Sequence, residues 1–457
     1  MRIENPWWSE MPSQTDQMYR DMRPRAYFEP LAELVEAVDV RRAVVLMGPR
    51  RVGKTVLLQH IIQKLLDKGI PARSIAYLSL DQPLYSNLSI EELAGKVLGA
   101  SLLEKAVPVF LFLDEIQYLR DWERHLKAFV DVHPHIKCVV SGSAAAALRL
   151  KSIESGAGRF TDFFLPPLTF YEYLDLQEIN VPIELKKDMW TLEEGFIETL
   201  NEHFIRYIQI GGYPEIVFSE TIQQDMGRYV RSDIIDKVLL RDLPSLYGIQ
   251  DIQELNSLFM SLAWNTAQEV SLDKLSQNSG VTKPTLKRYL EYLEAAFLIK
   301  TVHRIDQNAK RFKRVNFFKV YLTNPSIHCA LFGSSTNQEP SGALIETAVF
   351  AQLFHLKDQV LHYARWKGGE VDMVFLNERG HPDGCLEVKW SDNNIEQWQK
   401  RGPLRIFLKK HPNMHACSFT TRTKTGQFDI GNQKMMYLPT SLYCYLVGLR
   451  LAPDFSL

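Results

Sequence analysis

Segment 48–55, GPRRVGKT, constrains this chain more than any other stretch, because it follows the apolar run 43–47 and precedes the apolar, helix-spaced residues 56–66. A β-type run, a glycine-bearing turn and GKT at a helix start make a phosphate cradle. Backbone N–H groups of the turn and the positive helix end converge on phosphate oxygens. Gly48, Pro49, Arg50, Arg51, Val52, Gly53, Lys54 and Thr55 are therefore the candidate nucleotide-binding residues. Lys54 would reach the β- and γ-phosphates of ATP, and Thr55 would offer its hydroxyl to Mg2+. An ordinary strand-to-helix turn is the plainer reading, and both flanks argue against it.

The residues that follow alternate between strand and helix patterns. Stretch 74–80 (SIAYLSL) reads as a strand, 90–103 as a helix, and 107–113 (VPVFLFL) has the length and apolar character of a buried parallel strand. That run ends in Asp114 and Glu115. An acidic residue at the carboxyl end of a central strand beside the P-loop strand can hold Mg2+ through its water shell, and the next carboxylate can polarise the attacking water. Asp114 is thus the metal candidate and Glu115 the candidate general base; two carboxylates capping a helix that begins near Trp122 is the alternative. Stretch 138–143 (CVVSGS) reads as the next buried strand. Arg159 is a candidate arginine finger for a neighbour's site or an ordinary surface arginine. The alternation predicts an α/β fold with a parallel, doubly wound sheet.

At 457 residues the chain is too long for one ordinary core, so roughly two to four domains are expected. Its 53 basic and 54 acidic residues leave a net charge of −1, which excludes a global field for nucleic acid or membrane; any such surface must be local. The five cysteines are odd in number and widely spaced, so they read as buried free thiols in a reducing compartment, not as zinc pairs or a disulfide framework. No stretch approaches ~18 uninterrupted apolar residues and the first residues carry no apolar signal core, so a cytoplasmic location without a membrane partner is expected.

The order GPRRVGKT, LFLDEIQYL, VVSGS, GRF, LPPLTFYEYL and GGYPE resembles the prokaryotic AAA-family ATPases often called archaeal-type ATPases. The resemblance implies a P-loop AAA-type domain over 31–170, a helical lid over 171–250, and ATP with Mg2+ as cofactors, while residues 1–30 mix Pro6, Trp7, Trp8, Pro12, Pro24 and Pro30 with charges, which suits an irregular N-terminal arm that packs its aromatics on another surface. It also implies Ser143 as a γ-phosphate sensor and assembly as a homo-oligomer, since AAA-type sites use a neighbour's arginine. The pair Arg241 and Asp242 in the lid either reports on nucleotide or is a helix-surface ion pair.

Stretch 255–267 and then SLDKLSQNSGVTKPTLKRYLEYLEAAFLIK read as helix, turn and helix, with Thr282 capping the second helix and Pro284 in its first turn. Strand-like 298–302 and 315–322 would form the wing of a winged-helix domain over 251–332. From 281 to 320, ten basic residues face three acidic ones, a plausible phosphate-backbone footprint for DNA or a solvated face of a contact module.

Beyond the polar linker 333–341, an apolar-striped helix carries Glu346, and two strands of a hairpin carry EVD and CLEVKW. Residues two apart on a strand share a face, so Asp372, Glu387 and Lys389 can converge. Carboxylates plus a lysine suit metal-dependent phosphodiester hydrolysis: Asp372, Glu387 and Glu346 to hold Mg2+, and Lys389 to activate water. The series resembles the PD-(D/E)xK restriction-endonuclease-like signature, which implies a nuclease-like α/β domain over 333–457. Asn324 departs from the aspartate expected there by resemblance. Together these features lead to an expected ATPase coupled to DNA binding and Mg2+-dependent cleavage, in genome defence or mobile-element control. The alternative is a nucleotide-switched binder of DNA or protein that does not cut.

Overall fold

Five short apolar strands build the first sheet: β1 (Ala43–Met47), β2 (Ile75–Ser79), β3 (Val109–Asp114), β4 (Ile136–Gly142) and β5 (Phe160–Phe164). The computed structural model describes residues 3–452, except 10–13, 86–87, 100–107, 144–157, 187–188, 194, 245–248, 250, 311–315, 334–338, 357–359, 394 and 396–401. The five strands pair in parallel in the order β2-β3-β4-β1-β5. Both faces are covered: Val44, Leu46, Phe110 and Phe112 pack in one apolar cluster, and Val45, Met47, Leu111 and Leu113 in another. Burial on both faces is why these strands read as continuous apolar runs.

One expectation about this sheet is corrected. β3 does not lie beside the P-loop strand, because β4 pairs with both β1 and β3. Asp114 is therefore one strand removed from β1.

The N-terminal arm covers the exposed edge of β2. Asn5 exchanges two hydrogen bonds with the Tyr77 backbone (2.9 and 2.7 Å), and the Trp7 and Trp8 indoles donate to the Ile75 carbonyl at 3.1 and 2.9 Å. Side chains thus satisfy backbone groups that an open sheet edge would expose.

α1 (Lys54–Asp67) follows the P-loop, and α2 (Phe170–Leu176) begins at a capping box of Thr169 and Glu172. α3 (Phe196–Ile210) and α4 (Val230–Asp242), the latter wound as a π-helix, form the layer beyond it. Tyr207 on α3 joins three parts of the chain. Its hydroxyl donates to the Leu168 carbonyl at 2.8 Å and accepts from Asn324 at 3.2 Å and Gln352 at 3.0 Å. The adjacent glycines are required by this closeness: a Cβ on Gly212 would lie 2.6 Å from the Asn324 side chain. Asn324 is fully buried and also accepts from the Ser326 amide at 2.9 Å, so its side chain is taken up in structural hydrogen bonds.

α5 (Leu272–Ser279) ends at Gly280, whose φ of +73° closes the helix in the left-handed region. α6 (Lys283–Ala295) starts from Thr282 with Pro284 in its first turn. Around them run β8 (Glu269–Ser271), β9 (Ile299–Ile305) and β10 (Phe317–Leu322), after the hairpin β6 (Ile183–Lys186) and β7 (Met189–Leu192). α7 (Gly342–Leu353) leads to β11 (Val360–Trp366), β12 (Gly369–Leu376), β13 (Pro382–Glu387), β14 (Ala416–Thr421), β15 (Gly426–Ile430) and β16 (Gln433–Pro439), and α8 (Thr440–Leu449) closes the described chain.

The expected boundary at 332/333 does not separate two sheets. β9 pairs in parallel with β11 (His303↔His362, Arg304↔Tyr363, Ile305↔Ala364), which fuses the two expected domains into one nine-stranded sheet in the order β15-β16-β14-β13-β12-β11-β9-β10-β8. Most of the polar linker and the basic loop segment 311–314 lie outside the described residues. The five cysteines are free and buried. Among the described residues, no helix is long and apolar enough to cross a membrane.

Candidate nucleotide site and C-terminal charge cluster

β1 delivers the chain into the P-loop, and the loop's geometry requires its glycines. A Cβ on Gly48 would meet the Leu165 carbonyl oxygen at 2.2 Å, and Gly53 has φ +93° immediately before Lys54 opens α1. Lys54 is 5% exposed and donates to the Gly48 and Pro49 carbonyls at 3.1 and 2.9 Å. Burial lowers its pKa, an effect partly offset by the charges of Glu115 and Asp114. Arg25 of the arm supports the loop from outside by donating to the Val52 carbonyl at 3.0 Å.

Although β4 intervenes, Thr55 in the first turn of α1 reaches Asp114, donating to its Oδ2 at 2.7 Å. Tyr77 donates to the same oxygen at 2.8 Å, and Ser141 at the tip of β4 bonds Oδ1. Glu115 has φ +58°, in the left-handed region that non-glycine residues seldom adopt. Gln117 bonds Glu115 and accepts from the Ser143 amide at 3.1 Å, while the Ser143 hydroxyl is buried with no hydrogen-bond partner. The structure therefore brings Gly48, Lys54, Thr55, Asp114, Glu115 and Ser143 to the carboxyl ends of β1, β3 and β4.

This donor set fits Mg2+-ATP. A buried ammonium, a hydroxyl beside a buried carboxylate and an orphaned serine hydroxyl are groups that a polyphosphate and its cation would satisfy. Arg50 and Arg51 turn to the lid. Arg50 makes a bidentate pair with Asp242 (3.0 and 3.1 Å), and Arg51 pairs with Glu215 at 2.9 Å and Asp233 at 3.0 Å. Asp242 is thus a P-loop contact, not half of a surface pair with Arg241. Arg159 lies apart, at the amino-terminal end of β5, where it pairs with Asp131 at 2.9 Å.

The second set of candidates also converges. Asp372 accepts from the Val388 amide at 2.9 Å, Lys389 stands 2.9 Å from Glu387 and 3.7 Å from Asp372, and one Glu387 oxygen is buried without a partner. Three further residues, overlooked by spacing arguments, complete the cluster. Lys319 of β10 contacts Glu346 and Glu370, each at 2.8 Å, and Tyr321 donates to Glu346 at 2.6 Å. The available signal was a lone lysine inside the apolar strand FFKVYL.

Burial and the nearby Asp372 charge push the Glu346 carboxyl up to about 7 despite Lys319, and burial with Asp372 likewise raises Glu387. Among the described residues, no three carboxylate, histidine or cysteine side chains are arranged to hold a metal ion. Glu346, Asp372 and Glu387, the expected Mg2+ ligands, instead each have a lysine ammonium within 4.0 Å that competes for the oxygens a divalent cation would need, so as placed they do not fit one.

Comparison with known proteins separates the parts of the chain. An uncharacterised protein of Methanocaldococcus jannaschii is 26% identical over 343 residues, 73% of this chain and 72% of that one. One from Haemophilus influenzae is 24% identical over 291 residues, 63% and 68% of the two chains. The Aeropyrum pernix ORC1 protein, solved in complex with DNA, aligns with a TM-score of 0.32 and 12% identity over 68% of this chain and 92% of that one, a likeness too slight to bear on function. Residues 201–338 match a domain of unknown function (DUF8612), which takes in the expected lid from residue 201 onward together with the expected winged segment. Residues 40–174 match an AAA domain, a match with which the parallel sheet and P-loop described above agree.

Proposed function

We propose that the chain binds and hydrolyses ATP at the P-loop and uses the nucleotide to reset the contacts between the loop and the lid. The observation that carries this reading is the Thr55–Asp114 contact at 2.7 Å beside the buried Lys54. Lys54 holds the β- and γ-phosphates, Glu115 takes the proton of the attacking water, and Ser143 contacts the γ-phosphate. Thr55 and Asp114 would hold Mg2+, which supplies neutralisation of the charge developing on the phosphates. Arg50 and Arg51 exchange their lid carboxylates for phosphate oxygens, which couples occupancy to the position of α4. Steady-state phosphate release tests the reading: Glu115→Gln should lose at least about 100-fold, the lower range for a positioned general base. Release that persists in both Lys54→Ala and Glu115→Gln would end it.

In the same reading α5, α6 and the strands around them form a winged helix that contacts DNA. Lys287 and Arg288 on α6 and Lys310 are exposed, which supports such a contact. Lys283, Lys300, Arg304 and Lys319 are engaged in ion pairs with Asp273, Glu294, Glu269 and Glu346, so the usable basic face is smaller than the sequence count. The C-terminal part is read as a nuclease-like domain that holds its partner without cutting it, a choice favoured by the lysines seated on its carboxylates. Incubating supercoiled and linear DNA with Mg2+ or Mn2+ decides this. Cleavage by wild type that Asp372→Ala abolishes would reinstate the nuclease.

Arg159 lies at the strand ends opposite its own P-loop, so it can complete only a neighbour's site. A homo-oligomer formed with ATP, and lost ATPase activity in Arg159→Ala without lost nucleotide binding, would support that role.

A further inference from the structure

The C-terminal cluster is a charge arrangement that closes without a metal, and Lys319 is the residue that closes it. Its side chain is 4% exposed, with Nζ 2.8 Å from Glu346, 2.8 Å from Glu370 and 3.9 Å from Asp372. Tyr321, two residues along the same strand face, donates to the same Glu346 oxygen at 2.6 Å. From the other side Lys389 reaches Glu387 at 2.9 Å and Asp372 at 3.7 Å. Each carboxylate expected to hold a cation therefore has an ammonium within 4.0 Å, while one Glu387 oxygen stays buried without a partner.

An ammonium and a divalent cation compete for the same oxygens. Both need the carboxylate lone pairs, and their like charges repel across a few ångströms of poorly hydrated interior. Lys319 has little freedom to withdraw. Its strand runs inside the nine-stranded sheet between β8 and β9, and Tyr321 on the same strand stacks on Phe350 of α7 at 4.3 Å.

We propose that Lys319 occupies the place of the divalent cation, so that the Glu346–Asp372–Glu387 cluster is a metal-excluding site stabilised by an internal ammonium. The lysine comes from β10, a strand of the winged segment, so the same contact fastens that segment to the C-terminal part. The inference deepens the non-cutting reading, and its test reads metal binding instead of cleavage so that the two can fail separately.

The probe is Mn2+ alone, followed by electron paramagnetic resonance on the full chain carrying Asp114→Asn, which removes the P-loop carboxylate. The expected result is no bound Mn2+ in that protein. Adding Lys319→Met should raise Mn2+ affinity by at least about tenfold, and Asp372→Asn in addition should abolish the gain. A Mn2+ site in the Asp114→Asn protein that Asp372→Asn removes would overturn the proposal. So would a folded Lys319→Met protein that gains no Mn2+. Because removing Lys319 can unfold the cluster, the measurement with Lys319 in place can overturn the proposal even if Lys319→Met does not fold.

Discussion

Replacing Arg25 by methionine should destabilise the AAA domain by about 3–5 kcal/mol, the range for removing one partner of a buried ion pair. Arg25 and Glu172 are 7% and 1% exposed and form a bidentate pair at 2.9 and 2.8 Å. Arg25 also donates to the Val52 and Pro166 carbonyls at 3.0 and 2.8 Å. In Arg25→Met the Glu172 carboxylate keeps only the Thr169 amide and hydroxyl of its capping box. Burial alone would raise the Glu172 pKa, but the charge and hydrogen bonds of Arg25 outweigh it and hold the carboxyl low. A folded pKa below the unfolded one means that this stabilisation is present above the ordinary glutamate value of about 4.3 and disappears as pH falls through the folded value.

The assay is the first cooperative transition in urea, read by protease susceptibility, since a chain with two large sheets has no single unfolding free energy. For a unit of this size the deficit corresponds to a shift of roughly 6–20 °C in Tm. The double variant Arg25→Met/Glu172→Leu removes both charges and should recover most of the loss, less about 1 kcal/mol for the α2 cap. An Arg25→Met protein within about 1 kcal/mol of wild type, or a double variant no better than the single, would refute the reasoning.

Other perturbations have defined outcomes. Tyr207→Phe leaves the buried Leu168 carbonyl without its hydroxyl donor and takes an acceptor from the Asn324 and Gln352 amides, of which Gln352 keeps the Ala348 carbonyl, so thermal unfolding should register a loss of about 1–3 kcal/mol. Gly48→Ala places a methyl 2.2 Å from the Leu165 carbonyl oxygen, and equilibrium titration with a fluorescent ATP analogue should show lost binding in a protein that still folds. Asp242→Asn releases Arg50 toward the phosphates, so the same titration should show affinity rising by about fivefold, corresponding to ~1 kcal/mol. The Glu346 carboxyl is raised to about 7, so the folded state holds its proton more tightly than the unfolded chain does. Stability should therefore fall as pH rises from about 4.5 to 7, and Glu346→Gln should flatten that slope in a series of thermal melts.

The parts of the nucleotide site that sit close together in sequence were legible there. Residues 48–55 encode their own turn, and an apolar run ending in Asp114 and Glu115 marks the end of a buried strand. What the sequence hides is set by strand order and distant pairing. The placement of β4 between β1 and β3 leaves no local trace, nor does the closing of Arg50 on Asp242, 192 residues away. The fused sheet depends on three residues of parallel pairing between β9 and β11, a contact no hairpin pattern announces. Charge alone places Lys319 on a basic surface, because it does not show burial; only the folded positions of Glu346 and Glu370 reveal its partners. The tryptophans of the arm signalled packing, while their use as hydrogen-bond donors to an edge strand required the sheet order.

The most direct test of the central claim is a single-turnover experiment in which excess protein is mixed with labelled ATP and Mg2+, comparing wild type with Glu115→Gln. If Glu115 activates water beside a phosphate cradle built from Lys54, Thr55 and Asp114, the variant will bind ATP fully and convert it at least about 100-fold more slowly. Conversion at the wild-type rate by Glu115→Gln, or failure of the wild-type protein to bind ATP at all, would contradict the account.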